Sequence, residues 1–209
     1  MAETVFIVRH GEAESNRDKY FAGWRDTKLT RLGMDQAALL SRRLVHERIG
    51  KAFCSDSLRA RQTLENIGLA CPVAYSEALR ETNYGKMEGV AWGEDEDKYD
   101  RYHLDPSARG EGGENAFDVQ KRAVAYFEKN VLDAPEEKVL VVSHHNTIIC
   151  VACHLLGLPL SNWRRLRVGN CGLSIFTKED DIWRLKLWNS LSHYGLENFR
   201  PLLKKDKKR

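Results

Sequence analysis

The sequence predicts an α/β fold with a mainly parallel central sheet and helices on both of its faces. Two apolar runs, residues 5–8 and 139–142, are short, rich in β-branched side chains and free of polar alternation, as in strands buried on both faces. Segments with helical apolar spacing lie between the predicted strands. This alternation of strands and helices along the chain is typical of a parallel sheet.

The other elements follow from local patterns. Thr30 is a favourable N-cap residue for a helix over residues 30–49, in which the apolar residues recur at helical spacing: Leu32, Ala37, Leu40 and Leu44. The last two strands form an antiparallel hairpin through a turn at residues 178–181. The remaining strands are predicted at residues 51–54, 72–75, 173–177 and 182–188, and the remaining helices end near residues 68, 132 and 156.

A long irregular segment, residues 77–114, follows the third strand. It contains an acidic stretch at residues 94–102 that we expect to be helical, and a turn-rich stretch at residues 105–113. Segments of this length without regular structure are usually functional. We therefore expect an insertion that caps the active edge of the sheet.

The overall charge gives no indication of a polyanionic partner. The 209 residues include 33 basic and 30 acidic side chains, a formal net charge of +3, and part of the basic excess lies in residues 204–209. We predict a single domain over residues 1–203, followed by this basic tail, which is expected to be disordered. Binding to nucleic acid is not expected. The sequence shows no signal-peptide pattern and no apolar run of about 18 residues, so no membrane association is expected either.

The chain has five cysteines, an odd number, and they are widely spaced. This pattern indicates free thiols in a reducing compartment, so we expect a cytoplasmic protein. Cys150 and Cys153 have the spacing of a redox or metal-binding pair, but they lie within an apolar helical run. We interpret them as small core residues on one helix face.

Polar side chains follow three of the predicted strands. Arg9 and His10 come directly after the first strand, Arg59 follows the second at the start of a helix, and His144 follows the fourth. Ligands of open α/β sheets bind at the carboxyl edge of the strands, where these groups converge if the strands are neighbours. Arginine does not ligate metals and would repel a cation, so no metal site is expected. Guanidinium groups match phosphate oxygens with paired donors, which favours a dianion as ligand.

Six motifs, spread in order over residues 4–190, resemble those of the histidine phosphatase superfamily, which includes the cofactor-dependent phosphoglycerate mutases. The first is Arg9-His10-Gly11-Glu12 together with Asn16. The others lie at residues 23–33, 55–63, 79–89, 113–115 and 142–144. Six ordered matches are far more specific than an isolated Arg-His-Gly. The resemblance implies a phosphoglycerate mutase-like fold and a phosphoryl-transfer site that needs no metal and no cofactor.

The resemblance also implies a role for each matching residue. His10 would attack phosphorus as a neutral nucleophile and form a phosphohistidine, while nearby Arg9 and Arg59 disfavour its protonation. Arg9, Arg59 and His144 would hold the phosphoryl oxygens. Glu81 would protonate the leaving oxygen and then deprotonate the hydrolytic water. The predicted substrate-binding residues are Arg9, Asn16, Gly23, Arg59, Tyr84, His144 and His145.

The sequence departs from the family pattern at two positions. His145 stands where the family usually has glycine, and Ala13 where threonine is common. The His145 ring could line the pocket or point away from it. Trp24, Tyr84 and Arg109 could contact the leaving group or serve only packing.

The stretch of chain between Glu81 and His144 is shorter than in the phosphoglycerate mutases of this superfamily, where it closes over the substrate and excludes water. A short stretch favours an open site in which water reaches the phosphohistidine. We therefore predict a phosphomonoesterase that hydrolyses a small phosphate ester. Phosphoryl transfer of the phosphoglycerate mutase type is the first alternative, and a non-catalytic binding module of this fold is the second. A monomer and a homodimer both remain open.

Overall fold

The computed structural model describes residues 1–93 and 105–195, and these form one six-stranded sheet. The strand order is β3-β2-β4-β1-β5-β6. The pairs β1–β4, β2–β4 and β2–β3 are parallel, whereas β5 is antiparallel to both β1 and β6. This confirms the mainly parallel sheet. The strands are β1 (Thr4–Arg9), β2 (Lys51–Ser55), β3 (Val73–Ser76), β4 (Lys138–Ser143), β5 (Leu173–Glu179) and β6 (Ile182–Ser190).

Helices cover both faces of this sheet, as predicted. In the described residues the α-helices are α1 (Glu14–Asp18), α2 (Arg31–Leu44), α3 (Leu58–Ile67), α4 (Ala116–Tyr126) and α5 (His145–Leu155), of which α2 to α5 pack on the sheet. Val5 and Ile7 belong to the core shared with α4 and α5, and Phe6 and Val8 to the core shared with α2 and α3. Successive side chains of a strand point to opposite faces, so a strand covered on both sides is apolar throughout.

The structure differs from the predicted elements in detail. Helix α2 ends at Leu44 instead of residue 49, and Arg48, with φ +53°, is in the left-handed region, which a right-handed helix cannot include. The hairpin turn has two residues, Asp180 and Asp181, both at positive φ, as a type I′ turn requires. Helix α4 continues as a π-helical segment, Phe127–Leu132. Residues 14–18, for which no helix or strand is predicted, form the short helix α1.

The strand order brings the predicted polar strand ends together. β1 and β2 flank β4, and Arg9 pairs with Ser143 in the parallel register, so His10 and His144 leave the sheet side by side. The insertion contributes two short 3₁₀ turns, Glu77–Leu79 and Gly85–Met87, beside this edge. The helix predicted at 94–102 and the tail at 204–209 lie outside the described residues. In residues 1–93 and 105–195, no helix has the length and apolar character needed to cross a bilayer.

Candidate active site

A cleft of about 200 Å³ opens at the carboxyl edge of β1 and β4. Of the nine residues predicted for the site, eight line this cleft and one, His144, lies behind it. The eight are Arg9, His10, Asn16, Gly23, Arg59, Glu81, Tyr84 and His145.

His10 is held in one tautomer. Its side chain is buried, and Nδ1 lies 2.7 Å from the carbonyl oxygen of Gly11. Because a carbonyl oxygen only accepts, Nδ1 carries the hydrogen and Nε2 keeps its lone pair. Burial lowers the pKa of His10 well below its usual range, and the positive charges of Arg59 and Arg9 lower it further. The imidazole is therefore neutral at neutral pH.

Gly11 allows the backbone after His10 to approach helix α2. A Cβ atom at this position would lie 2.5 Å from the carbonyl oxygen of Gly33, the residue that α2 presents to it. The Gly11 N–H donates to Thr63 Oγ1 over 2.9 Å, and that hydroxyl donates to the carbonyl oxygen of Arg59 over 2.7 Å. The strand end that carries His10 is thereby tied to the helix that carries Arg59.

His144 is completely buried and its ring centroid lies 5.1 Å from that of His10. Its Nε2 is within hydrogen-bonding distance of the Ser55 and Ser57 hydroxyls, at 2.9 and 3.2 Å. Nδ1 is buried without a hydrogen-bond partner among the residues that the structure describes. Burial, followed by Arg59 and His10, lowers the pKa of His144 well below its usual range. The contact of His144 with a phosphoryl group stays a prediction.

Arg59 enters the cleft from the first turn of α3 and is almost fully buried. Its Nη1 donates to the carbonyl oxygen of Arg25 over 3.0 Å, and its Nη2 to that of Gly23 over 2.8 Å. Burial lowers the pKa of Arg59 to about 10, so the guanidinium remains charged at neutral pH. The contribution of Gly23 to the site is therefore its carbonyl oxygen, which orients the Arg59 guanidinium.

Arg9 faces the cleft from the end of β1. Its Nη1 donates to the carbonyl oxygen of Val168 over 2.7 Å, while its buried Nε has no partner among the described residues. The hydrogen bonds that orient Arg9 and Arg59 thus go to neutral carbonyl groups. Glu81 is the one carboxylate among the described residues that line the cleft, so the cleft carries a net positive charge suited to a dianion.

Glu81 lies at the N-terminus of α5. Its Oε1 accepts hydrogen bonds from the backbone N–H groups of Thr82 and Asn146, at 2.9 and 3.2 Å. Its own carbonyl oxygen accepts from Trp24 Nε1 at 2.9 Å and Arg122 Nη2 at 2.8 Å. Both ends of the residue are therefore fixed, and the carboxylate is oriented at the cleft.

Asn16 lines the cleft from the short helix α1. Its Oδ1 accepts from the backbone N–H of Ala13 at 3.0 Å and from Asn170 Nδ2 at 3.2 Å. These contacts make the amide nitrogen of Asn16 the polar atom left for a ligand. Asn170 also donates to the carbonyl oxygen of His10 over 3.1 Å, so it supports both residues.

The His145 ring lines the cleft, which decides between the two orientations left open by the sequence. Its Nδ1 lies 3.0 Å from the Val168 carbonyl oxygen that also accepts from Arg9. Tyr84 also lines the cleft, and its hydroxyl accepts from Asn146 Nδ2 over 2.9 Å. His145 is thus part of the wall beside Arg9.

Several residues of the site were not predicted. Asn146 directly follows the two histidines and could have been found from that position, whereas Arg167 and Trp92 line the cleft without any motif. Arg109 pairs with Asp118, and neither it nor Trp24 lines the cleft. The described residues contain no group of three His, Cys, Asp or Glu side chains placed to hold a metal ion.

Residues 5–191 match the family model of the histidine phosphatase superfamily, branch 1. The chain belongs to this superfamily. The probable phosphoglycerate mutase GpmB of Photorhabdus laumondii is 33% identical over 192 residues, which cover 88% of this chain and 89% of that protein. The GpmB protein of Escherichia coli K12 is 31% identical over the same shares of both chains.

Solved structures of this superfamily show the same architecture. The mycobacterial glucosyl-3-phosphoglycerate phosphatase complexed with VO3 is 28% identical with a TM-score of 0.80, covering 90% of this chain and all of that one. YhfR of Bacillus stearothermophilus is 26% identical with a TM-score of 0.84, covering 92% of this chain and 99% of that one. The chain thus belongs to a superfamily of phosphatases and phosphomutases, enzymes that act on phosphoryl groups.

Proposed function

We propose that the protein is a phosphomonoesterase that hydrolyses a small phosphate ester through a phosphohistidine on His10. One observation carries the proposal. The hydrogen bond from His10 Nδ1 to the Gly11 carbonyl oxygen leaves an Nε2 lone pair on a neutral, buried ring, in a cleft that the guanidinium groups of Arg9 and Arg59 also line. This combination of nucleophile and oxyanion donors is what in-line attack on a phosphoryl group requires.

In the first step, His10 Nε2 attacks phosphorus and the bond from phosphorus to the ester oxygen breaks. Arg9, Arg59 and the amide of Asn16 hold the phosphoryl oxygens as charge develops on them. Glu81 in its protonated form gives its proton to the departing oxygen, so the alcohol leaves neutral. The position of the carboxylate, fixed by the Thr82 and Asn146 N–H groups, supports this assignment.

In the second step, water attacks phosphorus and the phosphorus–nitrogen bond to His10 breaks. Glu81, now a carboxylate, accepts the proton of the water and is ready for the next cycle. Inorganic phosphate leaves and His10 returns to its neutral form. The arginines supply the positive charge throughout, so we propose that no metal ion takes part.

Transfer of the phosphoryl group to a second substrate is the other candidate. The names of the GpmB relatives, at 31–33% identity, favour a mutase, whereas the similarity to glucosyl-3-phosphoglycerate phosphatase favours hydrolysis. The short interval between Glu81 and His144 supports access of water to the phosphohistidine. Hydrolysis is therefore our choice.

We also propose a cytoplasmic location. All five cysteines are free, which supports a reducing compartment.

A phosphate-release screen separates these activities. Sugar phosphates, phosphoglycerates, nucleotides and an aryl phosphate are each offered to the purified protein, and 3-phosphoglycerate is also offered with a bisphosphate primer. We expect at least one monoester to release one phosphate for each ester molecule consumed. Isomerisation of 3-phosphoglycerate faster than any phosphate release would establish the mutase instead.

The intermediate is tested by trapping it on the protein. A rapidly quenched reaction with a radiolabelled substrate should give label that survives alkali and is lost in acid, as expected of a phosphoramidate. His10→Ala should abolish labelling and turnover, while His154→Ala, which alters an exposed histidine paired with Glu128, should retain both. Acid-stable label, or full turnover by His10→Ala, would refute the assignment of His10.

A further inference from the structure

Glu88 lies behind the cleft wall and does not line the cleft, yet its carboxylate is fully engaged. Oε1 accepts from the backbone N–H of Trp24 at 2.7 Å and of Tyr84 at 3.3 Å. Oε2 accepts from the backbone N–H of Arg25 at 3.1 Å. One side chain thus binds the loop that precedes α2 and the segment that carries Glu81, from opposite sides.

The same loop holds Arg59. The carbonyl oxygen of Gly23 accepts from Arg59 Nη2, and the next N–H along the chain, that of Trp24, donates to Glu88. These two atoms belong to a single peptide group. A carboxylate at its N–H and a guanidinium at its C=O polarise that peptide group in the same sense, which strengthens both hydrogen bonds.

Gly23 is the residue that makes this arrangement possible. Its φ is +51°, and a Cβ atom built on it would lie 2.0 Å from Glu88 Oε1. No L-residue with a side chain could occupy this position without displacing the carboxylate. The glycine and the glutamate, 65 positions apart, are therefore parts of one support.

The charge of Glu88 acts in the same direction as its hydrogen bonds. Burial lowers the pKa of Arg59, and the carboxylates of Glu81, Asp26 and Glu88 oppose this effect. Asp26, in the same loop, accepts from the backbone N–H of Leu58 at 2.9 Å, which joins the loop to the first turn of α3. Asp26 and Glu88, which do not line the cleft, thus help to keep Arg59 charged and in place.

We propose that Glu88 is a positioning residue that fixes the loop at residues 23–25, so that the Gly23 and Arg25 carbonyl groups aim the Arg59 guanidinium at a bound phosphoryl group. The inference rests on the proposed function only in requiring that the cleft takes a phosphoryl group or its analogue. Glu88 itself touches no substrate.

A double-mutant cycle with orthovanadate tests this. In Glu88→Gln the negative charge is lost, and the side-chain NH₂ places a second donor against the Arg25 N–H. We therefore expect calorimetry to show that vanadate binds about tenfold more weakly. In an Arg59→Ala background the same change should alter the dissociation constant less than about twofold, because Glu88 acts through Arg59. In an Arg9→Ala background the full tenfold effect should persist, because Arg9 is held by Val168.

Glu111→Gln is the matched control. It removes a carboxylate from an exposed side chain of the same region, paired with Lys86, and should leave vanadate binding unchanged. Glu88→Asp, which keeps the charge but withdraws the carboxylate by one methylene group, should lie between wild type and Glu88→Gln. It also serves as the test variant if Glu88→Gln does not fold.

An equal loss of vanadate affinity on Glu88→Gln in the Arg59→Ala and wild-type backgrounds would overturn the inference. An unchanged dissociation constant in Glu88→Gln alone would overturn it too, as would a wild-type protein that binds no vanadate. Phosphate release by the wild type is measured in parallel. Vanadate binding with the expected cycle but without hydrolysis would refute the proposed function and leave the role of Glu88 standing.

Discussion

Arg122 Nη2 donates a hydrogen bond to the backbone carbonyl oxygen of Glu81 over 2.8 Å. Arg122 projects from α4, and its Nε also pairs with Glu114 at 2.7 Å, with both side chains about four-fifths buried. The proposed acid–base residue is therefore fixed from its main chain by a helix on one face of the sheet. The carboxylate end is fixed independently by the N-terminus of α5.

We expect Arg122→Gln to lower kcat of a hydrolysed ester by roughly tenfold while changing the dissociation constant of vanadate less than about twofold. The reason is that Glu81 takes part in proton transfer, whereas the phosphoryl group is held by other residues. Steady-state kinetics and calorimetry on the same preparation measure the two effects. Arg109→Gln, which breaks an exposed pair with Asp118 on the same helix, is the control and should match wild type. A parallel loss of kcat and vanadate affinity would contradict this division of roles.

Gly23→Ala should weaken vanadate binding at least tenfold, because the new methyl group displaces the Glu88 carboxylate and with it the loop that holds Arg59. Gly157→Ala provides a matched comparison, since Gly157 has a similar φ of +62° but open space where the new methyl group would lie. Both variants should lose about 1 kcal/mol of stability from backbone strain. Equal vanadate affinities in the two variants would show that the contact with Glu88 is unimportant.

Consecutive residues in the sequence are enough to predict the strands and the polar residues that meet at their ends: Arg9, His10, Arg59 and His144. A strand buried on both faces is apolar throughout, so the polar residues that follow it can be identified in the sequence. Helix α1 has five residues, fewer than two turns, so it shows no periodicity, and a side-chain contact of Asn16 to the Ala13 N–H holds its start.

The supports of the site could not be predicted in this way. Glu88, Arg122 and Asn170 bind backbone N–H or C=O groups of residues distant in the chain. Every residue except proline offers such groups, so no complementary side chain marks the partner in the sequence. Motifs thus indicate which residues matter, Glu88 in the motif at residues 79–89 among them, whereas the contacts through which such a residue supports the site become visible only when the chain is folded.

Thiol reactivity should single out Cys71. It is the one partly exposed cysteine, while Cys54, Cys150, Cys153 and Cys171 are buried. Burial raises the pKa of the Cys150 thiol, which makes the reactive thiolate rare. We expect one equivalent to react with an aromatic disulfide reagent in the native protein and five after unfolding. Cys71→Ser should abolish the native reaction, and a second fast equivalent in that variant would show that the interior cysteines are accessible.

The stability of the protein should fall as the pH drops below 6.5, because His10 and His144 are buried in neutral form. Burial lowers the pKa of each well below its usual range, whereas in the unfolded chain each titrates near 6.5. Below that pH the unfolded state binds more protons, so the free energy of unfolding decreases by about 1.4 kcal/mol per pH unit for each residue until the pH reaches its pKa in the folded state.

His144→Asn should therefore reduce the slope of the unfolding free energy between pH 6 and 5 by about 1 kcal/mol per pH unit, measured by urea unfolding at each pH. His193, whose pKa burial lowers to about 4, contributes equally to the variant and the wild type and cancels in the comparison. His46→Asn, at an exposed position, is the control and should keep the wild-type slope. If His144→Asn also kept that slope, His144 would have to accept a proton in the folded protein as readily as in the unfolded chain. The burial of His144 as a neutral imidazole beside His10 would then be contradicted.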